Sequence, residues 1–408
     1  MSKKGPLSVP RRAEVESKGD ALSVLLDETT DMSPDGLTAM VDAAGRVLGA
    51  TSARLLIADY GLTSLQALGE DGPTSDRRPI EGTLAGRAFT GREIIVSGHD
   101  PALVLVPPTE GSERLGVLEL SHSSWNEAHQ ALLDPVVRVL VLILISKRRY
   151  TDVILRSRRS ERLSPAAELQ WDLLPPLTCS TAGASVSGIL EPAYSIGGDS
   201  FDYAMNPGGT ELAIIDAMGH GMAAVLLSVT AINCLRNARR EGVGLEVAYL
   251  ATSEAISVHL GGHAFVTGQL ASLDHDGALT WLNAGHPLPL LVRDGSYCGE
   301  LSCRPSLPMG LGGAVREIAT EHLQPGDQVL FYTDGVVETR SPTGELFGLA
   351  RLADLLVRAS LEQVPPGETV RRLSASILAY NGAGLSDDAT LLLLNYHGSA
   401  AGAVASVR

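Results

Sequence analysis

The sequence predicts an α+β protein of two domains, and three observations lead to this prediction. The chain has 408 residues, more than one compact domain usually holds. In its first third, a helical pattern precedes short strand-like runs and a second helical pattern. In its second half, many strand-like runs follow one another through turns and the helical segments come in pairs. That second pattern is typical of antiparallel sheets with helices packed outside.

Composition excludes several classes of protein. Hydrophobic residues make up 44% of the chain and charged residues 19%, which indicates a globular protein. The net charge of −15 argues against nucleic acid as a partner. The four cysteines form no Cys-x-x-Cys pair and have no histidine at zinc spacing, so we expect reduced thiols. The N-terminus lacks a signal-peptide core, and the most apolar run, residues 136–145, is too short to span a bilayer. We therefore expect a cytoplasmic protein without membrane contact.

The first domain is predicted over residues 21–147, after a polar, flexible tail of residues 1–20. Apolar residues recur on one helical face over residues 37–48. Ser124 and Glu127 form a candidate capping box that opens a long helix. Between these helices, strand-like runs lie at residues 53–58, 62–68, 93–96, 103–106 and 115–120. This order of elements is typical of an α+β sensor fold.

Two segments of this domain carry a resemblance to a known family. They are a short helix with glycine ends at residues 82–89 and the late strand at residues 115–120. Together they resemble GAF domains, over roughly residues 20–147. The resemblance implies a sensor for an unknown small ligand or protein signal.

Residues 148–179 are predicted to be a helical linker. Residues 147–162 are rich in arginine with scattered apolar residues, which favours a solvated connecting helix. A two-stranded coiled coil remains open, and GAF domains with helical linkers often pair, so a homodimer remains open too. Ser164 supplies an N-cap and Pro165 a first-turn proline for a further helix, which ends before Pro175.

The second domain is predicted over residues 180–396, and residues 397–408 form a C-terminal tail. Its strand-like runs lie at residues 185–190, 210–215, 264–274, 278–283, 289–292, 328–333 and 389–395. Its helical segments lie at residues 222–240, 247–260, 348–360 and 368–380.

Four aspartates of this domain share one kind of setting, at a strand end or beside a glycine turn: Asp199, Asp216, Asp334 and Asp387. Such carboxylates, from separate parts of the chain, can converge only at one edge of a sheet. Packed carboxylates repel one another unless cations neutralise them. All-oxygen ligands without a nearby cysteine or histidine pair favour Mg²⁺ or Mn²⁺. Two such ions would activate a water and neutralise phosphoryl oxygens, so the pattern predicts hydrolysis of a phosphoester.

The motifs around these aspartates form an ordered set. In chain order they are GGDSFD at 197–202, DAMGHG at 216–221, NAGHP at 283–287, PMG at 308–310, PGD at 325–327, YTDGVVE at 332–338, ELFG at 345–348 and SDDAT at 386–390. This set resembles the SpoIIE/RsbU branch of the metal-dependent, type-2C-like serine/threonine protein phosphatases. The resemblance implies an α-β-β-α sandwich of two antiparallel sheets flanked by helices.

The resemblance also implies roles for single residues. Asp216 corresponds to the metal-bridging aspartate, and Ala217 would offer its backbone carbonyl to the metal. Asp334 and Asp387 correspond to further metal carboxylates, and Asp199 to a ligand acting directly or through water. Residues expected behind the ligands are Asp202, His220 and Asp388. The sequence has no arginine just before the Gly197 turn, where related phosphatases clamp phosphate, so Mn²⁺ or Mg²⁺ would bind most of the phosphate charge.

The implied substrate is a phosphorylated anti-sigma-factor antagonist of the STAS type. Two alternatives are weighed against it. The GGDSF loop resembles that of diguanylate cyclases, but Ser200 stands where that signature has an acid, and the other motifs would be unexplained. A catalytically inactive scaffold is disfavoured because every expected acidic position is filled. His286 is expected to be structural, and His220 either bonds a water of the site or fixes its loop.

Overall fold

The computed structural model describes residues 12–69, 77–98, 101–111, 113–194, 197–260, 263–382, 385 and 387–398. Most of the two predicted tails (residues 1–11 and 399–408) and Ser386 of the last motif lie outside these residues. The chain divides into two compact units. The N-terminal unit comprises Met1–Glu110 and Arg114–Glu161, and the C-terminal unit comprises Gly111–Glu113 and Arg162–Arg408. All four cysteines are free, as predicted.

The N-terminal unit is a six-stranded antiparallel sheet with helices. Its helices are α1 (Arg12–Thr30), α2 (Leu37–Val47), α3 (Leu84–Gly91), α4 (Glu127–Lys147) and α5 (Val153–Ser157). Its strands are β1 (Ser52–Ala58), β2 (Ser64–Ala67), β3 (Arg77–Pro79), β4 (Ile95–Ser97), β5 (Ala102–Val106) and β8 (Gly116–His122), in the spatial order β3-β2-β1-β8-β5-β4. A separate short pair is formed by β6 (Thr109–Glu110) and β7 (Glu113–Arg114). The core joins α1, α2 and α4 to the sheet through buried leucines and valines.

Two predictions for this unit are wrong. Residues 12–20 belong to α1 and are not a flexible tail, because the helix is held by packing of its buried Leu25 in the core of the unit. The long helix α4 is capped by Asn126, whose Oδ1 accepts hydrogen bonds from the backbone N–H groups of Ala128 and His129. The Ser124 capping box is therefore replaced by a cap two residues later.

The apolar helix α4 is longer than the ten-residue run indicates. Among the described residues, Glu127–Tyr150 is the one stretch long and apolar enough, by length and composition alone, to cross a membrane. A core helix of a globular domain meets the same criterion. One side of α4, with Leu133, Leu140 and Leu144, is buried in the core of its unit.

The C-terminal unit has four layers. Its strands are β9 (Thr178–Ser180), β10 (Ala184–Glu191), β11 (Ser200–Asn206), β12 (Gly209–Ala217), β13 (Val266–Leu273), β14 (Ala278–Ala284), β15 (Leu290–Arg293), β16 (Ser296–Glu300), β17 (Ala319–His322), β18 (Gln328–Tyr332) and β19 (Ala389–Tyr396). Its helices are α6 (Pro165–Leu173), α7 (Met222–Glu241), α8 (Leu245–Leu260), α9 (Asp334–Glu338), α10 (Leu349–Leu361) and α11 (Pro366–Asn381).

The strands form two antiparallel sheets, in the orders β16-β15-β18-β19-β10-β9 and β11-β12-β13-β14-β17. Helices α7 and α8 pack on the second sheet, while α10 and α11 pack on the first. The predicted α-β-β-α arrangement is therefore present in this unit. The apolar runs and helical patterns of the sequence locate seven strands and four helices within a few residues: β10, β12, β13, β14, β15, β18 and β19, and α7, α8, α10 and α11.

The predicted linker, residues 148–179, is not a separate segment. Its first part belongs to the N-terminal unit, where the Ser157 hydroxyl accepts a hydrogen bond from the Gly69 N–H (3.1 Å). Helix α6 belongs to the C-terminal unit and packs on α7. Ser164 caps α6 as predicted, by accepting a hydrogen bond from the Ala167 N–H (3.1 Å).

Candidate active site

Four chain segments meet at one end of the two sheets. Strand β11 begins at Ser200, which lies opposite Ile215 near the end of β12. In the other sheet, β18 ends at Tyr332, which lies opposite Leu391 near the start of β19. The backbone of Thr333 then donates to the Thr390 carbonyl (3.1 Å). Because antiparallel neighbours end and begin at the same edge, the residues next to these strand ends are brought together.

The two glycines before Asp199 permit a close backbone approach. The Ala217 N–H donates to the Gly198 carbonyl (3.2 Å). A Cβ atom at Gly198 would collide with the Ala217 carbonyl oxygen. Only glycine fits here, and the Ala217 carbonyl is thereby held beside the turn that carries Asp199.

Asp199 is buried and bonded into the protein. Its Oδ2 accepts hydrogen bonds from the Thr333 hydroxyl (2.6 Å) and the Thr390 hydroxyl (2.8 Å). Burial, followed by the charges of Asp216 and Asp388, raises its pKa well above the ordinary value, while the two threonine bonds oppose the rise. The Gln170 side chain of α6 donates to the Asp199 carbonyl, so α6 contacts this turn directly.

Asp388 holds the same turn from the other sheet. Its carboxylate accepts hydrogen bonds from the backbone N–H groups of Gly197 (2.8 Å) and Asp199 (3.3 Å). Burial raises the pKa of Asp388 to about 6, although these backbone bonds act in the opposite direction. The neighbouring Asp387 is exposed, and its Oδ1 accepts the Asp388 N–H (2.9 Å). Asp388 therefore orients the glycine turn, and Asp387 remains at the surface of the site.

Asp216 lies at the electrostatic centre of the group. It is half-buried near the end of β12. Burial, followed by the charges of Asp334, Asp387 and Asp388, raises its pKa to about 7. Asp334 opens the short helix α9, and its pKa is raised by burial and then by Glu338 and Asp387. The structure thus brings Asp199, Asp216, Asp334, Asp387 and Asp388 into one mutually repelling group.

This group fits divalent cations chemically. Its donors are carboxylate oxygens and the Ala217 carbonyl, the ligand type that Mg²⁺ and Mn²⁺ prefer. Besides burial, repulsion by neighbouring carboxylates raises the pKa of Asp216. A bound cation would attract these carboxylates and so remove the repulsion. Within the described residues, no three His, Cys, Asp or Glu side chains converge on a single point as a finished metal centre. The carboxylates are therefore close enough to interact electrostatically, but among the described residues they are not arranged around a single metal position.

One predicted residue lies elsewhere. Asp202 was expected behind the metal ligands, but it points to helix α7. There it pairs with Arg236 (2.7 Å) and Arg239 (2.8 Å). Arg236 also donates to the Leu173 carbonyl at the end of α6 (2.7 Å). Sequence reasoning missed both arginines because α7 shows only an apolar pattern and their partner lies more than 30 residues away.

A cleft of about 530 Å³ opens onto the carboxylate group. Its walls include Gly197, His220, Met222, Asp387 and Asp388. The exposed His220 lines the cleft and sits between Gly219 (φ +96°) and Gly221 (φ +70°), whose positive φ angles favour glycine. None of the described lining residues is a lysine or arginine. The charge of a phosphoryl group would accordingly have to be met by cations, as the sequence indicates.

His286 has a structural role, in agreement with the sequence interpretation. It is buried, and burial lowers its pKa to about 3, so it is neutral. Its Nδ1 hydrogen-bonds the Thr267 hydroxyl (3.0 Å), and Thr267 lies opposite Asp216 in the sheet. Asn283 closes the loop by exchanging two hydrogen bonds with the backbone of His286.

Comparison with known proteins identifies the region around this site. Residues 206–397 match the family model described as Stage II sporulation protein E (SpoIIE). Protein IcfG of Synechocystis sp. is 28% identical over 225 residues, which cover 48% of this chain and 35% of IcfG. Phosphoserine phosphatase RsbU of Bacillus subtilis is 23% identical over 235 residues, which cover 56% of this chain and 68% of RsbU. The chain thus spans about a third of IcfG and about two thirds of RsbU.

Solved structures give weaker likenesses. The RsbU and RsbW domains of Rv1364c from Mycobacterium tuberculosis share 27% identity over 53% of this chain and 62% of that chain, with a TM-score of 0.46. The catalytic domain of serine/threonine protein phosphatase PstP, solved in complex with 2 manganese ions, shares 16% identity over 52% of this chain and 99% of that chain, with a TM-score of 0.40. The likeness rests on the family model and the sequence relatives. Residues 206–397, within the C-terminal unit, match a SpoIIE-type phosphatase domain.

Proposed function

We propose that the chain is a metal-dependent protein phosphatase that hydrolyses phosphoserine and phosphothreonine. The observation that supports this proposal most directly is the repelling carboxylate group around Asp216, which opens onto a cleft without a lysine or arginine among its described walls. A phosphoryl group carries about −1.5 to −2 charges and cannot enter such a cleft unless cations neutralise it. RsbU, a sequence relative, is described as a phosphoserine phosphatase.

We assign the metal ligands to Asp216, Asp334, Asp387 and the Ala217 carbonyl, with Asp199 acting directly or through a water. When bound, two Mn²⁺ or Mg²⁺ ions would lower the pKa of a water molecule and neutralise phosphoryl oxygens. Asp388 holds the glycine turn through the N–H groups of Gly197 and Asp199, which keeps the Ala217 carbonyl in place. His220, in the cleft wall, would orient a water or a phosphoryl oxygen.

We propose a phosphorylated anti-sigma-factor antagonist of the STAS type as the substrate. The proposal follows from the resemblance of the sequence to the SpoIIE/RsbU branch of phosphatases, and the relative RsbU is described as a phosphoserine phosphatase. The net charge of −15 disfavours recognition of a highly acidic peptide by charge, so a folded partner should dock and present one phosphorylated loop.

The N-terminal unit is proposed to be a GAF-like sensor, over about residues 21–147, that controls the phosphatase in response to an unknown small ligand or protein signal. Its sheet order and its packing of α1, α2 and α4 are compatible with this role. A cytoplasmic location and a homodimer belong to the same proposal.

The substrate class is tested by measuring phosphate release from three substrates with the full chain and Mn²⁺. They are a folded phosphorylated STAS antagonist, its isolated phosphopeptide and a phosphotyrosine peptide. We expect the highest kcat/KM on the folded protein and the lowest on phosphotyrosine. A preference for the phosphotyrosine peptide would overturn the substrate class, and equal efficiency on protein and peptide would refute docking.

A further inference from the structure

The outer face of helix α7 changes character along its length. In the half next to the cleft, Met222 is 43% exposed and Leu226 is 48% exposed. In the other half, the exposed positions on this face are polar, with Asn233 and Asn237. The apolar exposure is therefore confined to the part of the helix that adjoins the site.

The turn after Asp216, which leads into α7, also carries an exposed apolar side chain. Met218 is 50% exposed, and its N–H donates to the Phe265 carbonyl (3.1 Å), which fixes the backbone of this residue. Met218, Met222 and Leu226 follow at four-residue intervals, and in a helix this spacing places Met222 and Leu226 on one face. We call these three residues the apolar rim. A single exposed apolar residue is ordinary, but several exposed apolar residues in one short stretch of chain beside a cleft are typical of an interaction surface.

The position of the apolar rim restricts what can cover it. Met222 belongs to the rim and also lines the cleft together with Asp387 and Asp388. A macromolecule seated on the rim therefore lies over the entrance to the carboxylate group. A second copy of the chain in that place would block the entrance. The occupant compatible with turnover is the substrate itself. The chain has a net charge of −15, so much of its surface repels an acidic partner, whereas the uncharged rim does not.

We propose that Met218, Met222 and Leu226 form the docking surface for the protein substrate. The substrate contributes an apolar patch next to its phosphorylated serine or threonine. This inference rests on the proposed phosphatase function and adds the surface and the chemistry by which the substrate is chosen. Small phosphate esters do not reach the far end of the rim, so Leu226 acts on protein substrates alone.

The test uses the full chain with Mn²⁺ and the variants Leu226→Gln, Leu226→Met and Leu361→Gln. Leu361, the control, is 66% exposed at the end of α10. Leu361 lies near Gly295, in the turn after β15. The end of β15 next to this turn pairs with Gln328, the first residue of β18. Asp334 comes shortly after the last residue of β18, so Leu361 lies at the opposite end of the sheet from the site. Each variant is assayed on a folded phosphorylated STAS antagonist and on p-nitrophenyl phosphate.

We expect Leu226→Gln to lower kcat/KM on the folded protein about five- to tenfold, through KM, since it removes about half of a buried leucine contact. Turnover of p-nitrophenyl phosphate should stay within about twofold of the wild type. Leu226→Met and Leu361→Gln should behave as the wild type on both substrates, because methionine retains the apolar contact and Leu361 lies away from the rim.

Four results would overturn the docking surface. An unchanged kcat/KM on the folded protein would show that Leu226 is not contacted. A parallel loss on p-nitrophenyl phosphate would show that Leu226 supports the site itself. If Leu226→Gln turned over p-nitrophenyl phosphate faster than the wild type, the chain's own N-terminal unit would be the segment that covers the rim. If Leu226→Gln had a lower mass than the wild type by light scattering, a second copy would cover it. If the wild type hydrolyses neither substrate, it is the proposed phosphatase function that fails.

Discussion

The protonation state of Asp216 should control how the site accepts metal. Its pKa is raised from 3.8 to about 7 by burial and by the charges of Asp334, Asp387 and Asp388. A proton on this carboxyl group competes with a cation for the same oxygens. Below about pH 7, the affinity for Mn²⁺ should therefore fall by up to about tenfold per pH unit for each proton displaced.

The same shift sets the sign of the stability change in the metal-free protein. Between about pH 4 and pH 7 the folded state binds more protons at Asp216 than the unfolded state does, so stability falls as pH rises through this window. We predict a metal-free melting temperature that decreases from pH 5 to pH 7.5, and a stabilisation by Mn²⁺ that increases over the same range. Melting curves with and without chelator measure both. A metal-free protein that becomes more stable as pH rises would contradict this account of the site.

At the level of elements, Asp202 joins strand β11 to helix α7 rather than serving the metal. It is 1% exposed and faces Arg236 and Arg239. Asp202→Asn would leave two arginine charges without their partner, which costs about 3 kcal/mol for a buried pair. We predict a melting temperature lower by about 5 to 10 °C. Mn²⁺ affinity, measured by titration calorimetry at 20 °C, should remain within about threefold of the wild type. A large loss of Mn²⁺ affinity with unchanged melting would instead place Asp202 at the metal.

The sequence predicts elements well where one face is buried in a regular pattern. Strand β19 is instead recognised as a continuous apolar run that is buried along nearly its whole length, and helix α7 follows the rule, since its apolar residues repeat at the helical period. Strand β11 does not, because its residues also form the GGDSFD motif, which is more typical of a turn. Helix α1 was missed because its position depends on packing of Leu25 and not on local periodicity.

Within the site, the metal carboxylates could be predicted because each stands at a strand end beside a recognisable motif. The contacts that position them could not. Asp388 bonds Gly197 across 191 residues of sequence, and Gln170 reaches the Asp199 carbonyl from a helix expected to be linker. Such contacts depend on which sheets and helices face each other, which neither residue type nor spacing reveals.

For the whole molecule, the boundary of the C-terminal unit determines which fragment should be active. Helix α6 belongs to this unit and contacts the Asp199 turn through Gln170. We predict that a fragment of residues 162–408 folds and turns over p-nitrophenyl phosphate with Mn²⁺, while a fragment of residues 180–408 melts at a lower temperature and loses most activity. Equal melting temperatures and activities for the two fragments would show that α6 has no part in the site.

The comparison of the full chain with the 162–408 fragment also tests control by the N-terminal unit. We expect a several-fold difference in turnover or in Mn²⁺ affinity, in either direction, because a sensor must change one of these quantities. Matching values in the presence and absence of cell extract would rule out regulation by that unit.

The central claim is that the carboxylate group around Asp216 is a metal-dependent phosphatase site. The most direct measurement is p-nitrophenyl phosphate turnover by the wild type, Asp216→Asn and the control Asp276→Asn, with Mn²⁺ and with chelator, together with metal-free melting. Asp276 is exposed in the β13–β14 turn, at the opposite end of β13 from the residues that pair with Asp216 and Ala217.

We expect chelator to abolish the activity of the wild type and of Asp276→Asn. Asp216→Asn should lose activity by orders of magnitude while its metal-free melting temperature stays equal or rises, because one repelling carboxylate is gone. Full activity of Asp216→Asn with saturating substrate and Mn²⁺, or wild-type turnover that survives chelator, would contradict the claim.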